Sequence, residues 1–505
     1  MNAFERGLAL LSPSWALSRA RARAAWNVAL AYEANQVGRR AANWQAGSGS
    51  ANAEITPSLS RVRNRSRDMV RNNPYARSAI TKLVARSIGT GIVARPPANV
   101  LPVWKEFVEV ADFEAQHDLY GLQSLIGRTV FESGECLIQR VRGGRQSSPL
   151  QVRVLEADYL DELKFGPLSN GNFAIAGIEI TQSGQRAAFW LYDHHPGELV
   201  QLPKTWSSKR VPASEILHVY EKERPGQMRG MPRLAASMMR LRDVDEYQDA
   251  VMMRKKIEAC YAAFVKGGPG GTGTLAGAQQ TKTDDQGRRV ETLSPGMIMY
   301  GREGEEMSFG SPGAIAKDVY TLDQLHAIAA GIGVTYEQLT GDYSEVTYLS
   351  ARSAQLELRE LVEMFRWIHF IPMCCRGIWG WFLDAYYTAG RLRTATYPVE
   401  WTAPAFPWID PGKDVKAAKD EIMGGLTSLS AKIRERGEDP DTVFKEIADE
   451  REKLDELGVK LDTTLGGGVP VAAPAPAQPK DDGEPAGGTK PAKPAEDDGD
   501  DGDDD

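Results

Sequence analysis

The feature that most narrows the fold is a helical pattern running from Pro232 to about Val265. It is rich in Met, Leu, Arg and Lys, with acids and bases interleaved, and such straight-chain residues lose little freedom in a helix. At 1.5 Å per residue the run would reach about 50 Å, longer than most globular helices. It stops at Gly267-Gly268-Pro269-Gly270-Gly271, and a polar segment continues to about Arg289. Two short β-like stretches follow, Gly296–Tyr300 and Glu306–Phe309, before a second helical pattern, Ile315–Ala330. The middle of the chain is therefore expected to leave the body on one helix, make a small β and loop excursion, and return on another.

What precedes this excursion has mixed character. Leu122–Ser133 has helical spacing, and alternating runs follow at Glu135–Arg142, Gln151–Leu155, Gly177–Thr181, Ala187–Tyr192 and Ile216–Tyr220. Gly, Pro, Asn and Asp turns separate them, which predicts an α+β region with a largely antiparallel sheet. Nearer the N-terminus, an amphipathic helix is expected over Ser14–Glu33, then a linker over Ala41–Ala53. Arg61–Arg95 is the most basic window, with nine cations against a lone Asp68. Within it, Ile80, Leu83, Val84 and Ile88 are helically spaced, and Gly89 and Gly91 end the pattern.

Beyond the return helix, the loop Thr340–Leu349 leads into another long pattern, Ser350–Ala389, interrupted by Pro372. Proline removes a donor and clashes with the preceding turn, so a kink is predicted near Ile371. Asp410-Pro411 and Asp439-Pro440 each combine a cap with an N1 proline, and the helices they start should end at Gly424 and Gly458. After Gly466 the chain is Gly/Pro/Ala/Lys/Asp sequence without an aromatic residue, which reads as disordered.

Composition adds boundaries. The 505 residues are 42% hydrophobic and 25% charged, ordinary values for a folded chain of several domains. The net charge of −8 is localised: from Lys480 to Asp505 there are eleven acids against three lysines, so residues 1–479 sum to zero. Cys136, Cys260, Cys374 and Cys375 include no C-x-x-C pair and no disulfide-like spacing, and the adjacent Cys374 and Cys375 read as small core residues. Trp367–Leu383 is the most apolar window, but His369, Pro372 and Arg376 break it, so no membrane segment is expected.

The sequence carries no recognisable motif for chemistry. The Gly267–Gly277 stretch does not match a phosphate loop and follows a helix rather than a strand. His194 and His195 are neighbours on an extended segment, where alternate residues point to opposite faces, so they could not easily share one ion. Neither a nucleophile elbow nor a zinc-protease pattern occurs, and no carboxylate constellation stands out. No catalytic residue, metal or cofactor is assigned, and an enzyme is not expected.

Several ordered segments resemble one family. These are Arg65-Ser66-Arg67-Asp68 with Arg71-Asn72-Asn73-Pro74-Tyr75-Ala76-Arg77, Gly89-Thr90-Gly91-Ile92, Glu132-Ser133-Gly134-Glu135 and Leu155-Glu156-Ala157-Asp158. Further on come Trp190-Leu191-Tyr192 leading to His195-Pro196-Gly197, Val211-Pro212-Ala213 with Ile216-Leu217-His218-Val219-Tyr220, Arg224-Pro225-Gly226-Gln227, and Arg229-Gly230. Ala329-Ala330-Gly331-Ile332-Gly333-Val334 with Tyr336-Glu337 and Gly341-Asp342-Tyr343 completes the set. In number and order they resemble the portal proteins of lambda-type tailed bacteriophages.

The resemblance implies a mainly helical α+β subunit of a dodecameric ring, with an α+β wing, helical stem, small β clip, kinked long helix and helical crown. On this sequence, 1–60 would be an N-terminal helical arm and linker, 61–225 the wing, 226–265 the stem helix and 266–312 the clip. Then 313–339 would be the return stem helix, 340–350 a tunnel loop, 351–409 the kinked helix with the remaining wing, 410–465 the crown, and 466–505 the disordered acidic tail. The implied partners are other copies of the chain, double-stranded DNA held without sequence preference, the terminase large subunit, the major capsid or scaffold protein, and head-completion or adaptor proteins. The implied place is the portal vertex of the virion, after assembly in the host cytoplasm. Asp342, Tyr343, Ser344, Glu345, Thr347 and Tyr348 would lie near the DNA, because an acid-bearing wall guides a duplex without gripping it. Arg61, Arg63, Arg65, Arg67, Arg71 and Arg77 would form a basic face, for DNA phosphates or for acidic partners on a neighbouring subunit. The competing readings are a head–tail junction scaffold that binds only proteins, and a soluble hydrolase with no nameable site.

Overall fold

The computed structural model describes residues 47–143, 148–198, 207–266, 282–283, 289–290, 297–301, 319–408 and 410–459. The expected helix Ser14–Glu33, the strand Glu306–Phe309, most of the 266–312 excursion and the acidic tail lie outside the described residues.

Caps and glycines set the helix boundaries near the N-terminus. Ser50 caps a short helix, Ala51–Ile55, at the end of what the sequence suggests is a linker. Asn73 both ends the helix Leu59–Asn72 and caps Pro74–Ser87, its side chain accepting from Ala76 N at 2.9 Å with Pro74 at N1. Leu101–Val110 is a further helix. Asp118 caps Leu119–Ser133, which stops at Gly134 in the left-handed region at φ 94°. Directly after it, Glu135–Arg142 forms the centre of a three-stranded antiparallel sheet, between Leu150–Glu156 and Ile216–Tyr220. A second sheet is an antiparallel five-strand meander: Gly166–Pro167, Phe173–Ile175, Ile178–Ile180, Arg186–Leu191 and Lys209–Pro212. The five expected strands are present with ends shifted by a residue or two, whereas Gly166–Pro167, Phe173–Ile175 and Lys209–Pro212 lie outside the expected runs.

The long helix is shorter than its pattern suggests. It spans Met238–Cys260, because Pro232–Ser237 turns back on the body instead of coiling. Arg233 N donates to Phe131 O at 3.0 Å and Arg233 Nε to Ile332 O at 2.8 Å, holding those turns in place. At the other end, Tyr261–Lys266 is extended and pairs in parallel with Met297–Gly301. The return helix is Val319–Ile332. It crosses the base of the outgoing helix closely: a Cβ on Gly331 would lie 2.3 Å from Ser237 Oγ.

The expected kink at Pro372 takes another form. Tyr348–Met364 is α-helical, Phe365–Cys375 is a π-helix containing Pro372, and Arg376–Thr388 is α-helical again. A wider turn moves the missing proline donor out of the i to i−4 ladder, and Arg376 N donates to Ile371 O, five residues back. Arg366, buried in this segment, donates from Nε to Ser87 O at 2.7 Å and from Nη2 to Arg86 O at 2.6 Å. It thereby satisfies the last carbonyls of the Pro74–Ser87 helix and meets its negative end. Burial pushes the Arg366 guanidinium down to about 10, still charged at neutral pH.

The main core gathers these helices on one face of the three-stranded sheet, with Ile80, Phe107, Ile126, Ile138, Leu241, Ile328, Phe370 and Phe382 all buried. A smaller core, including Leu137, Leu155, Ile178, Phe189 and Ile216, fills the space between the two sheets. Cys136, Cys374 and Cys375 are free and buried, as core thiols. Toward the C-terminus come Pro411–Met423, Leu429–Glu435 and Pro440–Leu457, the first and third starting at the two Asp-Pro signals. Among the described residues, no helix is long and apolar enough to cross a membrane.

Candidate functional site

Two glycines allow the densest charged cluster among the described residues to form. Gly134 and Gly230 approach so closely that a Cβ on Gly230 would lie 2.1 Å from Gly134 O, and one on Gly134 would lie 2.5 Å from Met231 C. No other residue type permits that crossing, and Gly134 also needs its positive φ. The crossing sets Glu135 beside Arg229. Arg229 donates from Nε and Nη2 to Glu135 Oε1, at 2.9 and 2.6 Å, and from Nη1 to Ala176 O at 2.8 Å. Glu135 Oε2 also accepts from Gly230 N at 3.0 Å and lies 2.9 Å from His218 Nε2.

The basic window joins from the opposite side. Arg63 is only 2% exposed and reaches Glu162 at 2.7 Å, Asp158 at 3.2 Å and Glu135 at 3.7 Å. One turn along, Arg67 reaches Asp158 at 2.7 Å and Glu156 at 3.1 Å, and donates from Nε to Ser133 Oγ at 2.9 Å. Desolvation opposes the charge on Glu135, yet Arg229 and His218 hold its carboxyl well below the usual carboxylate range. Burial pushes His218 down to about 4 against the support of Glu135, so its imidazole is neutral at pH 7. With Nε2–H donated to Glu135, His218 Nδ1 is left to accept from Arg186 Nη1 at 3.3 Å.

Glu156, Asp158 and His195 bring ligand atoms within 4.8 Å of one another, a geometry a cation could use. Arg67 already supplies a positive charge between the two carboxylates. His195 Nε2 lies 3.1 Å from Glu156 Oε2, so this histidine joins a carboxylate rather than His194.

Most of the segments singled out in the sequence contribute to this one cluster, Gly89–Ile92 and the Ala329–Tyr343 set excepted. Arg67 comes from the first, Ser133 and Glu135 from Glu132–Glu135, Glu156 and Asp158 from the next, then His195, His218, Gln227 and Arg229. Gln227 Oε1 accepts from Glu223 N and Arg224 N, and Gln227 O accepts from the Tyr220 hydroxyl, which fixes the approach to Arg229. The sequence reading saw no carboxylate constellation because Glu135, His218 and Arg229 lie on segments that only the folded sheet unites. The signal available was the Gly-Glu and Arg-Gly pairing.

Within the basic window itself, the predicted residues part company. Arg63 and Arg67 point into the cluster, whereas Arg61, Arg65, Arg71 and Arg77 are exposed and have no ion pair among the described residues. Helical spacing separates 63 and 67 from 61 and 65, whereas Arg71 follows 67 at i+4 in the last turn and Arg77 stands on the next helix.

The second candidate is the loop between the helices Tyr336–Thr340 and Tyr348–Met364. Gly341 closes the first at φ 78°, and Asp342 Oδ1 accepts from Ser344 N at 3.0 Å, making a tight Asx turn. Thr347 caps the second in a capping box with Ser350. Asp342, Tyr343, Ser344, Glu345 and Tyr348 are exposed, and Thr347 is exposed beside them. The aromatic end is not purely acidic in surroundings: Lys413 Nζ stands 5.5 Å from the Tyr348 ring centre, and Arg352 donates to its hydroxyl at 3.3 Å.

Residues 37–366 match the family described as phage portal protein, lambda family. The chain belongs to that family. As a portal protein it is a component of the phage particle. A probable portal protein of Halomonas phage phiHAP-1 is 26% identical over 343 residues, spanning 66% of this chain and 65% of that relative. Portal protein B of Escherichia phage lambda is 23% identical, covering 83% of this chain and 88% of the relative. For the portal protein of Escherichia phage N15 the values are 24%, 79% and 86%. A solved chain from the neck of a native GTA particle, computed with C12 symmetry, aligns with TM-score 0.40 and 16% identity over 76% of this chain and 94% of that one.

Proposed function

We propose that this portal chain closes into a ring, a dodecamer, at one capsid vertex, and that its axial channel passes duplex DNA during packaging and ejection. The observation that carries the reading is the family match over residues 37–366, whose bounds take in the α+β region, both central helices and the 340–350 loop. In this reading 61–225 is the wing, 226–265 and 313–339 are the stem, and 266–312 is the clip, the surface for the terminase large subunit and later for head-completion or adaptor proteins. Residues 351–409 support the channel wall, 410–465 form the crown, and the rim meets capsid or scaffold protein. In this reading the Glu135 cluster is a lock between elements, with its acid ionised and its imidazole neutral.

The channel wall is assigned to Asp342–Tyr348. Each fixed phosphate contact adds affinity, so a ring of cations at one radius would act as a brake. Acids and hydroxyls at a tight exposed turn guide the duplex instead. Electron microscopy of the purified chain tests the ring: closed particles with a central hole and about twelve subunits are expected, while monomers at micromolar concentration would sink the reading. Site-specific crosslinking from Tyr343 in packaged particles tests the wall, with DNA adducts expected there and none from an exposed wing position such as Phe173.

A further inference from the structure

The four exposed arginines make no ion pair among the described residues, although Glu132 acts on Arg71 across the cleft and residues 1–479 are neutral overall. Arg71 and Arg77 lie with Arg67 and Arg128 along a cleft floored by Leu125 and flanked by Glu132, between the Leu59–Asn72, Pro74–Ser87 and Leu119–Ser133 helices. Arg128 is paired with Glu132 at 3.3 Å and Arg67 is held in the buried cluster, which leaves Arg71 and Arg77 as the cations without an ion pair there. Arg61 and Arg65 lie beside Asn64 and Asp68 on the other flank of the same helix. The negative charge that would balance them is elsewhere in the same polypeptide, with eight acids among the ten residues Glu496–Asp505.

We propose that this cleft and its flank dock the chain's own acidic tail, Asp481–Asp505. Dimensions permit it. The helix Leu59–Asn72 is about 21 Å long, and ten extended residues span up to about 35 Å, so Glu496–Asp505 can reach past both ends. A tether confines the tail near the body at an effective concentration on the order of millimolar, enough to populate contacts that would be weak in trans. A flexible acid chain can also thread past Glu132 and Asp68, whereas a rigid duplex laid on the same surface would press its phosphates against them. The consequence is that the tail shields the arginine face from nucleic acid. Pairing of tail and cleft needs neither a ring nor a channel, so it stands or falls separately from the proposed function.

The experiment uses the full chain and arginine modification by phenylglyoxal, read residue by residue by mass spectrometry. The comparison is with a variant in which all eleven tail acids are changed, Asp→Asn and Glu→Gln. Arg71 and Arg77 are expected to react about fivefold more slowly in the natural chain, an effect consistent with two exposed ion pairs. Salt at about 0.5 M should abolish the difference. Arg63 should stay unreactive in both chains, which reports that the fold is intact. Equal reactivity of Arg71 and Arg77 in the two chains would overturn the proposal. So would protection of these residues by added duplex DNA in the natural chain to the extent seen in the variant, which would make the face a nucleic-acid surface with no tail on it.

Discussion

Around Glu135, charged side chains from four separate segments meet almost out of contact with water, with Glu135, Arg63 and Arg229 each 2% exposed or less. Around Phe382, Trp104, Phe107, Trp379 and Tyr386 pack ring against ring at centroid separations of 4.9, 5.3, 5.4 and 4.6 Å. Both junctions join early helices or strands to later ones. The aromatic junction stabilises in proportion to the area it removes from water, and it tolerates shape changes gradually. The ionic one has little net attraction to give, since desolvating each ion opposes the gain, but each charge accepts only its own partners. One junction supplies energy and the other supplies registry.

The sharpest way to break this comparison is to remove one ion. Glu135→Ala leaves the buried Arg229 guanidinium with Glu162 alone as a counter-ion and should cost about 5 kcal/mol of stability, measured by urea unfolding. Replacing Glu135, Arg63 and Arg229 together by apolar residues of similar volume should recover most of that loss. If the triple variant is as unstable as the single one, the cluster contributes energy in its own right and the division of labour is wrong. Phe382→Ala should cost about 4 kcal/mol, a transfer and cavity effect with no comparable rescue.

The two junctions were also unequally legible in the sequence. Helix ends with caps, such as Asp410-Pro411 and Asp439-Pro440, and the strands Glu135–Arg142 and Ile216–Tyr220 could be read directly, because local chemistry decides them. The two ends of the long helix could not. Pro232–Ser237 is held in turns by Phe131 and by residues of the return helix, and Tyr261–Lys266 by a parallel partner more than thirty residues on. Pro372 announced a disturbance, but a widened helix and a kink both answer a missing donor. The ionic cluster stayed hidden for the same reason as the long-helix ends. Arg63 lies 99 residues from Glu162, and Arg229 lies 94 from Glu135, so only the fold shows that the basic window is half a buried lock.

Acid should separate the junctions next. His218 has its folded value near 4, below the ordinary 6.5, because the buried imidazole resists charging. Between those two values the unfolded chain binds a proton that the folded chain does not, so stability falls as pH falls through the window, by up to about 3 kcal/mol. Glu135 adds its own loss only at lower pH, because its value is depressed below the ordinary 4.5. The urea midpoint of Phe382→Ala should show the same slope between pH 6.5 and 4 as the natural chain, and His218→Gln should lack it. A slope surviving in His218→Gln would move the acid sensitivity to another group.

The smallest stability effect is expected where the proposed function places most of the consequence. Tyr343 is 61% exposed in the Asp342–Thr347 loop, and the structure holds that loop through Gly341, the Asx turn of Asp342 and the Thr347 cap rather than through the ring. Tyr343→Ala should therefore change unfolding free energy by no more than about 0.5 kcal/mol. If the loop lines the channel, the same variant should change how well packaged DNA is retained, measured as nuclease-protected genome per particle. Normal retention together with normal stability would detach this loop from the DNA path. A large loss of stability would show instead that the loop belongs with the two junctions as part of the folded core. The contrast holds only if the loop can be altered almost freely in the isolated chain while the assembled particle registers the change.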